Sequence, residues 1–392
     1  MEHVRFKTSR HHTHSRKYDS IFLSQYPSDT IPLWVADMDI EVDARILEGL
    51  HRYLDEKILG YNLIDSTYSQ SIVDYLHRRH QCDIMQHWIM TTPNVISSIN
   101  ACILTLTQPN DAVLIIEPIY TPFFKSVEST QRKVIFSSLR RSSCGYVMDF
   151  EDMESKITKH KIKMVLFCSP HNPVGRVWRI DELEQFLILM KKHDVKVVSD
   201  EIHMDFILKG YKHIPLIRLD DSIIMLMSAS KTFNLASAHV SQIIVKDDKI
   251  RKKLMKLYHQ LGLFHHLELG LRATIIAYSK CDDYIDELCE VIESNVKLVD
   301  ALLKDSPFKV LPIEGTYLMW IDITKLNLTS CHCQKRLIHE ARVWLNDGST
   351  FGPTGEGYVR LNVATSPEQL NEACQRLLLW VKEYTHESEP IK

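Results

Sequence analysis

A lysine follows an apolar stretch of the chain at a point where it could do covalent chemistry. Five apolar residues, 223–227, predict a buried strand. Ser228, Ser230 and Lys231 come directly after it. An amine at a strand end can form an imine with an aldehyde cofactor, and neighbouring hydroxyls can bind a phosphate. The alternative is an ordinary lysine in a strand–helix loop, where lysines are common.

Two further apolar runs end in side chains that fit the same chemistry. Residues 163–168 lead to Asn172, and residues 195–199 lead directly into Asp200. Because ligands of an open parallel sheet bind outside the carboxyl ends of its strands, we expect Asn172, Asp200 and Lys231 to meet. Together they predict a pyridoxal phosphate site. In it Lys231 carries an imine, Asp200 keeps a ring nitrogen protonated, and Asn172 donates to a phenolic oxygen.

Strand-like and helix-like segments alternate through the middle of the chain, and they must position these three side chains. Such alternation predicts an α/β fold, in which right-handed crossovers build a mostly parallel sheet sandwiched by helices. A chain of 392 residues is long enough for about one to three domains and a large core. The predicted strands are 112–116, 134–140, 163–168, 195–199 and 223–227, with helices at 149–160 and 181–193.

A second phosphate contact is predicted at the start of a helix. Residues 89–96 predict a strand that leads into a helix over roughly 97–107. Free backbone amides at a helix start bind phosphate well. The amides of Val95 and Ile96 are therefore candidates for this contact. The loop is not a Walker motif, because GxxxxGK[ST] does not occur in the chain.

An arginine lies inside another strand-like stretch, 358–363. Side-chain alternation places Arg360 on the same face as Tyr358 and Asn362. A buried arginine needs an anionic partner. That partner can be a structural Asp or Glu, or the carboxylate of an amino-acid substrate, which a guanidinium binds through two parallel hydrogen bonds.

Six motifs, spread from about Ile31 to Thr365, make the chain similar to fold-type I pyridoxal-phosphate enzymes of the aminotransferase superfamily. Within it, the chain most resembles the MalY/PatB group of cysteine-sulfur (cystathionine) β-lyases. The resemblance implies an N-terminal arm with part of a small domain (1–45), a large cofactor-binding domain (46–285) and a C-terminal small α+β domain (286–392). The motifs are IPLWVADMDI, SPHNPVG, SDEIHMDF, SASKTFNLAS, GTYLMWIDI and GYVRLNVAT.

The resemblance also implies roles for residues that spacing alone does not single out. Tyr120 matches the ring that stacks on the pyridine and assists catalysis. His203, in the DEIH sequence, matches a residue near the cofactor ring. Trp34, Ala36 and Asp37 belong to a segment that crosses the substrate entrance in related enzymes, which makes them candidates for the substrate site. Tyr61 matches a tyrosine that reaches the cofactor phosphate of a neighbouring subunit, which implies a homodimer.

Two positions depart from the pattern of related enzymes. Asn94 stands where they usually have glycine, and asparagine tolerates left-handed backbone angles better than most residues. His239 stands where many of them have a phosphate-binding arginine, eight residues after the lysine. We therefore expect the phosphate to rely on Ser228, on backbone amides and on Tyr61.

The predicted activity is α,β-elimination from cystathionine-like or other S-substituted cysteines, which yields a thiol, pyruvate and ammonia. Arg360 would hold the substrate carboxylate, and the freed amine of Lys231 would remove the Cα proton as a general base. An aminotransferase would use the same residues. A cofactor-bound regulatory or interaction protein is a further alternative.

Composition argues against several other classes of protein. A net charge of −3 gives no reason to expect nucleic acid or an acidic membrane surface as a partner. Nine scattered cysteines suit a reducing cytoplasm, and no apolar run reaches transmembrane length. The start of the sequence has no signal-like core. Two histidine- or cysteine-rich stretches, 11–14 and 331–333, lack a second half-site, so we predict no metal.

Overall fold

The computed structural model of the protein describes residues 3–7, 9–142, 145–264 and 267–387, and it has the predicted α/β architecture. The strands are β1 (Ile31–Pro32), β2 (Ile89–Thr92), β3 (Ala112–Glu117), β4 (Lys133–Ser138), β5 (Arg140–Ser142), β6 (Gly145–Val147), β7 (Met164–Cys168), β8 (Lys196–Asp200), β9 (Ile224–Met227), β10 (Ser241–Ile244), β11 (Lys309–Val310), β12 (Leu318–Asp322), β13 (Val343–Trp344), β14 (Asn346–Asp347) and β15 (Tyr358–Asn362).

The helices alternate with the strands in the middle of the chain and dominate its two ends. They are α1 (Arg16–Leu23), α2 (Ala44–Leu54), α3 (Ser66–His80), α4 (Val95–Leu106), α5 (Pro122–Ser129), α6 (Phe150–His160), α7 (Ile180–Lys192), α8 (Leu216–Leu219), α9 (Ala229–Thr232), α10 (Asp248–Gln260), α11 (Glu268–Lys280), α12 (Asp282–Leu303), α13 (Ser330–Arg336) and α14 (Pro367–Glu387). None of these helices, within the described residues, has both the length and the apolar character needed to cross a bilayer.

The largest sheet has seven strands in the order β2-β10-β9-β8-β7-β3-β4. Strands β4, β3, β7, β8 and β9 run parallel to one another, whereas β10 is antiparallel to both β9 and β2. The prediction of a mostly parallel sheet is therefore confirmed, and the antiparallel strand β10 is an addition to it. Because β7, β8 and β9 are adjacent, their carboxyl ends lie side by side at one edge.

Both faces of this sheet are covered, which explains its continuous apolar strands. In β3, Leu114 and Ile116 pack into one buried apolar cluster, and Val113 and Ile115 pack into another. Period-two alternation thus divides one strand between two cores. The polar groups that follow the strands are left at the sheet edge, where a ligand can reach them.

A smaller antiparallel sheet, in the order β11-β12-β15-β14, carries Arg360. In its register Arg360 lies opposite Trp320 on β12 and opposite Asn346 on β14. Strand β1 pairs in parallel with β13, Ile31 opposite Val343, so the segment that follows β1 is tied to this part of the chain.

The apolar face of the stretch 249–278 predicts a mostly helical region, and the structure has two helices there, α10 and α11. Gly262 lies between them with a φ of +69°, a left-handed conformation that a glycine adopts without strain. The chain therefore turns at this residue instead of continuing the helix.

Candidate active site

Lys231 lies on the single turn of helix α9, directly beyond the carboxyl end of β9. Its half-buried amine donates a hydrogen bond to the carbonyl oxygen of Ala36 at 2.6 Å. Burial lowers the pKa of Lys231 to about 8, although the nearby carboxylate of Asp37 opposes that shift. An amine with this pKa is partly uncharged near neutral pH, so it can act as a nucleophile and as a base.

Asp200 ends strand β8 and is buried next to this lysine. Burial raises the pKa of its carboxyl group to about 7, while the charge of Lys231 acts in the opposite direction. Within the described part of the chain the carboxylate accepts one hydrogen bond, from the backbone N–H of Ile202 at 3.1 Å. A buried carboxyl group with so few partners is suited to a ligand that brings a charged N–H.

Asn172 and Arg360 lie together, although 188 positions separate them in the sequence. Arg360 donates from one nitrogen to Oδ1 of Asn172 and from another to the carbonyl oxygen of Trp34, both at 3.0 Å. Because the Asn172 oxygen is occupied, its NH₂ group is left to donate to a ligand. This is the role that the sequence predicts for Asn172.

The guanidinium of Arg360 is fully buried but makes no ion pair with an Asp or Glu among the described residues. It lies over the ring of Phe351 at 4.8 Å, and burial lowers its pKa to about 10. Its Nε has no hydrogen-bond partner in the described structure. A buried cation without an anion is a site for a carboxylate.

The segment 34–37 crosses the site and contributes backbone carbonyl oxygens to it. The Ala36 oxygen also accepts from the hydroxyl of Tyr317 at 3.3 Å. The oxygens of Val35 and Asp37 both accept from the amide of Asn362 at 2.8 Å. Sequence reasoning placed Asn362 on the same strand face as Arg360 but gave no role to Tyr317 or to these carbonyl oxygens. The available signal for Tyr317 was its place inside one of the shared motifs.

The side chains of Trp34 and Asp37 have partners of their own. The indole of Trp34 stacks on Trp344 at a ring separation of 4.6 Å, so Trp34 meets Arg360 through its backbone oxygen. The carboxylate of Asp37 forms an ion pair with Arg10 at 3.1 Å and lies close enough to Lys231 to influence its charge. Both residues remain predictions as substrate contacts.

Two rings predicted to lie near the cofactor border the same site. His203 is buried edge-on to Tyr317 at 5.7 Å. Burial, together with the charges of Lys231 and Arg360, lowers the pKa of His203 to about 3, so this histidine is neutral. Its Nδ1 has no hydrogen-bond partner in the described structure. Tyr120 is 40% exposed, and its hydroxyl interacts electrostatically with Arg360, which places the ring at the mouth of the site.

The predicted phosphate contact at a helix start has a clear structural basis. Helix α4 begins at Val95, so the amides of Val95 and Ile96 lie in its first turn, where no intrahelical acceptor exists. Asn94 caps the helix, because its side chain accepts from the amide of Ser97 at 2.9 Å. Its backbone is extended, with φ −167°, and not left-handed as its place in the motif suggested. A glycine is therefore not required at Asn94.

The serines before Lys231 are less open to a ligand than the sequence suggests. The Ser228 hydroxyl donates to the carbonyl oxygen of Val240 at 2.7 Å and accepts from the amide of Ser230 at 3.1 Å. Ser230 is half-buried, and His239 is exposed in a left-handed conformation. Ser228 and Ser230 stay predictions as phosphate ligands. The Ser228 hydroxyl already acts both as a donor and as an acceptor within the protein.

Tyr61 lies on the surface of the chain, 97% exposed. Ile58, Leu59 and Leu63, in the same segment, are also exposed. Exposed apolar side chains grouped in this way are typical of a surface that contacts another protein.

The residues gathered here fit pyridoxal phosphate. A nucleophilic amine, an acid of raised pKa and an unpartnered histidine nitrogen lie at one sheet edge, with helix amides for a phosphate. Arg360 adds a site for a carboxylate. For the described residues, no group of three His, Cys, Asp or Glu side chains is arranged to hold a metal ion.

Comparison with known families identifies one match that covers most of the chain. The model of the family described as aminotransferase class I and II matches residues 38–377. The matched range contains most of the site just described, including Asp200, Lys231 and Arg360.

Individual proteins of known name are similar over nearly the whole length. Cystathionine beta-lyase PatB of Bacillus subtilis (strain 168) is 33% identical over 371 residues, 93% of this chain and 96% of that protein. Protein MalY of Escherichia coli (strain K12) is 30% identical over 378 residues, 94% of this chain and 96% of that protein. The crystal structure of cystalysin from Treponema denticola, which contains a pyridoxal 5′-phosphate cofactor, has a TM-score of 0.93 at 34% identity, over 96% of this chain and 98% of that one.

Proposed function

The chain belongs to the aminotransferase class I and II family and is a pyridoxal-phosphate-dependent carbon–sulfur β-lyase, and we propose that it removes the thiol from cystathionine-like and other S-substituted cysteines. The observation that carries the proposal is the grouping, at one edge of the sheet, of a half-buried amine, a buried acid and a buried arginine without an acidic partner among the described residues. The products are a thiol, pyruvate and ammonia.

The cofactor would be held by residues from several elements. Lys231 would bind its aldehyde carbon, Asp200 would face its ring nitrogen, and the NH₂ of Asn172 would face its phenolic oxygen. The phosphate would lie against the amides of Val95 and Ile96. His203, Tyr120, Ser228 and Ser230 would complete the contacts. When bound, pyridoxal phosphate accepts the electron pair released at Cα of an amino acid.

The acid Asp200 supports this chemistry by keeping a proton where it is needed. Its pKa of about 7 without a ligand means that it is poised between its two protonation states near neutral pH. A cationic ring N–H against the carboxyl group favours the carboxylate, as any nearby positive charge does. The resulting pair lies in a buried place, where its electrostatic interaction is stronger than in water.

Lys231 is the proposed base. Its amine, with a pKa near 8, takes the proton from the substrate Cα once it is free. The carbonyl oxygen of Ala36 accepts a hydrogen bond from the amine of Lys231 and so orients its nitrogen. Loss of the Cα proton allows the Cβ–S bond to break, and the sulfur leaves as a thiolate that takes a proton. The released aminoacrylate reacts with water to give pyruvate and ammonia.

A direct assay tests the proposed function. Purified enzyme loaded with pyridoxal phosphate is supplied with a panel of S-substituted cysteines, including cystathionine, and pyruvate and free thiol are measured together. We expect both products in equal amounts. Accumulation of pyridoxamine phosphate from simple amino acids, without thiol, would instead indicate an aminotransferase. Absence of any product would favour the regulatory alternative.

The proposed assembly is a homodimer in which Tyr61 contacts the cofactor phosphate of the partner subunit. The 97% exposure of Tyr61, beside other exposed apolar side chains, supports a surface that is covered in solution. The proposed location is the cytoplasm, which suits the free thiols of the described cysteines. The proposed domains are 1–45 with 286–392 as the small domain, and 46–285 as the large one.

A further inference from the structure

A second buried carboxylate lies five residues after Asp200, and the proposed chemistry leaves it without a role. The side chain of Asp205 is 2% exposed. It accepts from the hydroxyl of Thr232 at 2.5 Å, from the hydroxyl of Tyr75 at 2.5 Å, and is bonded to Nε2 of His80 at 2.8 Å. Hydroxyl groups this close to a carboxylate make charge-assisted hydrogen bonds, which are the strong ones.

The carboxyl group of Asp205 is ionised in spite of its burial. Burial alone would raise its pKa, but the bonds and charge from His80, Thr232 and Tyr75 outweigh that effect and lower it. The pKa of Asp200, at the end of the preceding strand β8, is shifted in the opposite direction. The two acids therefore differ in their hydrogen bonding. Side chains of the protein bond the carboxylate of Asp205, whereas that of Asp200 is left for the proposed ligand.

Thr232 connects this carboxylate to the lysine of the site, because it is the next residue of helix α9. That helix is one turn long, closed by the bond from the amide of Phe233 to the oxygen of Ala229 at 3.0 Å. So short a helix does not fix its own orientation. Successive side chains leave a helix about 100° apart, so holding the Thr232 hydroxyl also sets the direction of Lys231.

The other end of the network is anchored in larger elements. Tyr75 and His80 belong to the fifteen-residue helix α3, and Tyr75 stacks on Tyr278 of α11 at 4.1 Å. The backbone oxygen of Asp205 accepts from the thiol of Cys289 on α12 at 3.2 Å. Asp205 therefore fastens the turn that carries Lys231 to three helices outside the central sheet.

We propose that Asp205 is a positioning residue for the β-elimination, which directs the amine of Lys231 toward its substrate by holding the hydroxyl of Thr232. This inference rests on the proposed role of Lys231 as the base. Neither Asp205 nor Thr232 touches the amine or its acceptor, Ala36. Their contribution lies in the angle from which Lys231 approaches Cα, where an error of about 1 Å can lower a rate by about 10²-fold.

The test replaces Thr232 by valine, which has nearly the same shape but no hydroxyl. Thr274→Val is the matched control. Thr274 is equally buried, on α11, and among the described residues its hydroxyl bonds only to the oxygen of Gly270 within its own helix, at 2.8 Å. For Thr232→Val in the loaded enzyme we expect kcat to fall by about 10- to 100-fold, with KM within about twofold because Arg360 is untouched. Thr232→Ser should restore most of kcat.

A second readout needs no turnover. In the apoenzyme, the pH dependence of acylation of Lys231, followed by peptide mapping, reports the pKa of its amine. Wild-type enzyme should give a midpoint near 8, the value that burial produces. Thr232→Val should move the midpoint upward, since a loosened lysine is better solvated. Asp205→Asn, provided that it folds, should also raise the midpoint, and Thr274→Val should leave it unchanged.

These results separate positioning from simple structural support. If Thr232→Val and Thr274→Val lower the melting temperature alike and both leave kcat and the Lys231 midpoint unchanged, the proposal is wrong. If the wild-type enzyme proves to lack lyase activity, the acylation midpoint still decides whether Asp205 positions Lys231. That outcome would reject the proposed reaction without rejecting the positioning role.

Discussion

Replacing Asp200 by asparagine tests whether this acid is kept for the cofactor at a cost in stability. Burial raises the pKa of Asp200 to about 7 from an ordinary value of 3.8. The folded apoprotein therefore binds this proton more tightly than the unfolded chain does. Between about pH 4 and pH 7 the unfolded state holds fewer protons, so the free energy of unfolding falls as pH rises through that window.

The size of the effect follows from the shift in pKa. A shift of about three units corresponds to roughly 4 kcal/mol at pH values above 7, at about 1.36 kcal/mol per unit. Asparagine cannot ionise, and its oxygen can still accept from the amide of Ile202. Its NH₂ group needs a new partner, which costs about 1–2 kcal/mol. The net gain for apo Asp200→Asn at pH 8 is about 2–3 kcal/mol.

The assay is thermal unfolding of the apoproteins at pH 4.5 and pH 8. With an unfolding entropy of roughly 0.8 kcal/mol/K for 392 residues, the melting temperature of Asp200→Asn should rise by about 2–4 °C at pH 8. At pH 4.5, where the wild-type carboxyl group is protonated in the folded state, the gain should vanish. The loaded variant should nevertheless lose about 10²-fold or more in kcat.

Asp205→Asn is the matched control, because Asp205 is equally buried but has a lowered pKa. A lowered pKa contributes stability that is present above the unfolded pKa and lost as pH falls. Asp205→Asn should therefore be destabilised at pH 8. A loss of stability at pH 8 in both variants, or a normal kcat in loaded Asp200→Asn, would refute the assignment of Asp200 to the cofactor.

Three further predictions concern the other residues of the site. Lys231→Ala should abolish turnover while retaining some cofactor. In the wild type, borohydride should attach the cofactor covalently to Lys231. Attachment to a different lysine, found by peptide mapping, would contradict the proposed site. Arg360→Lys should raise KM more than it lowers kcat, with a loss in kcat/KM of about 2–4 kcal/mol, and an unchanged KM would exclude Arg360 as the carboxylate site. If Tyr61 contacts the cofactor phosphate of the partner subunit, mixing Tyr61→Phe with Lys231→Ala subunits should restore activity that each variant lacks. Sedimentation should show a dimer.

The positions of Asp200 and Lys231 at the ends of strands were predictable, because each follows an apolar run that favours a buried strand. Adjacent parallel strands then had to bring the two together. Short elements were harder to predict. Strand β10 has only four residues and includes Ser241 and Gln242, so it lacks the apolar run by which the other strands were recognised. The turn at Gly262 interrupts a helical pattern whose apolar face continues on both sides.

Contacts made by the backbone could not be predicted from residue types, because every residue offers the same carbonyl oxygen whatever its side chain is. The segment around Ala36 illustrates this, since its oxygens receive Lys231, Tyr317 and Arg360. The resemblance indicated that the segment crosses the substrate entrance but not that its backbone oxygens would make these contacts. In the structure that indole packs against Trp344.

The donors of Arg360 suggest how substrate and cofactor sites communicate. One terminal nitrogen donates to Oδ1 of Asn172 and the other to the oxygen of Trp34, while Nε is buried with no partner among the residues that the structure describes. A carboxylate that binds Nε and the second nitrogen bidentately needs to displace only Trp34. The bond to Asn172 would then persist, and it would keep the NH₂ of Asn172 directed at the proposed cofactor site. A lysine at this position would lose both functions, because a single ammonium group cannot hold the asparagine and the substrate in fixed, separate directions.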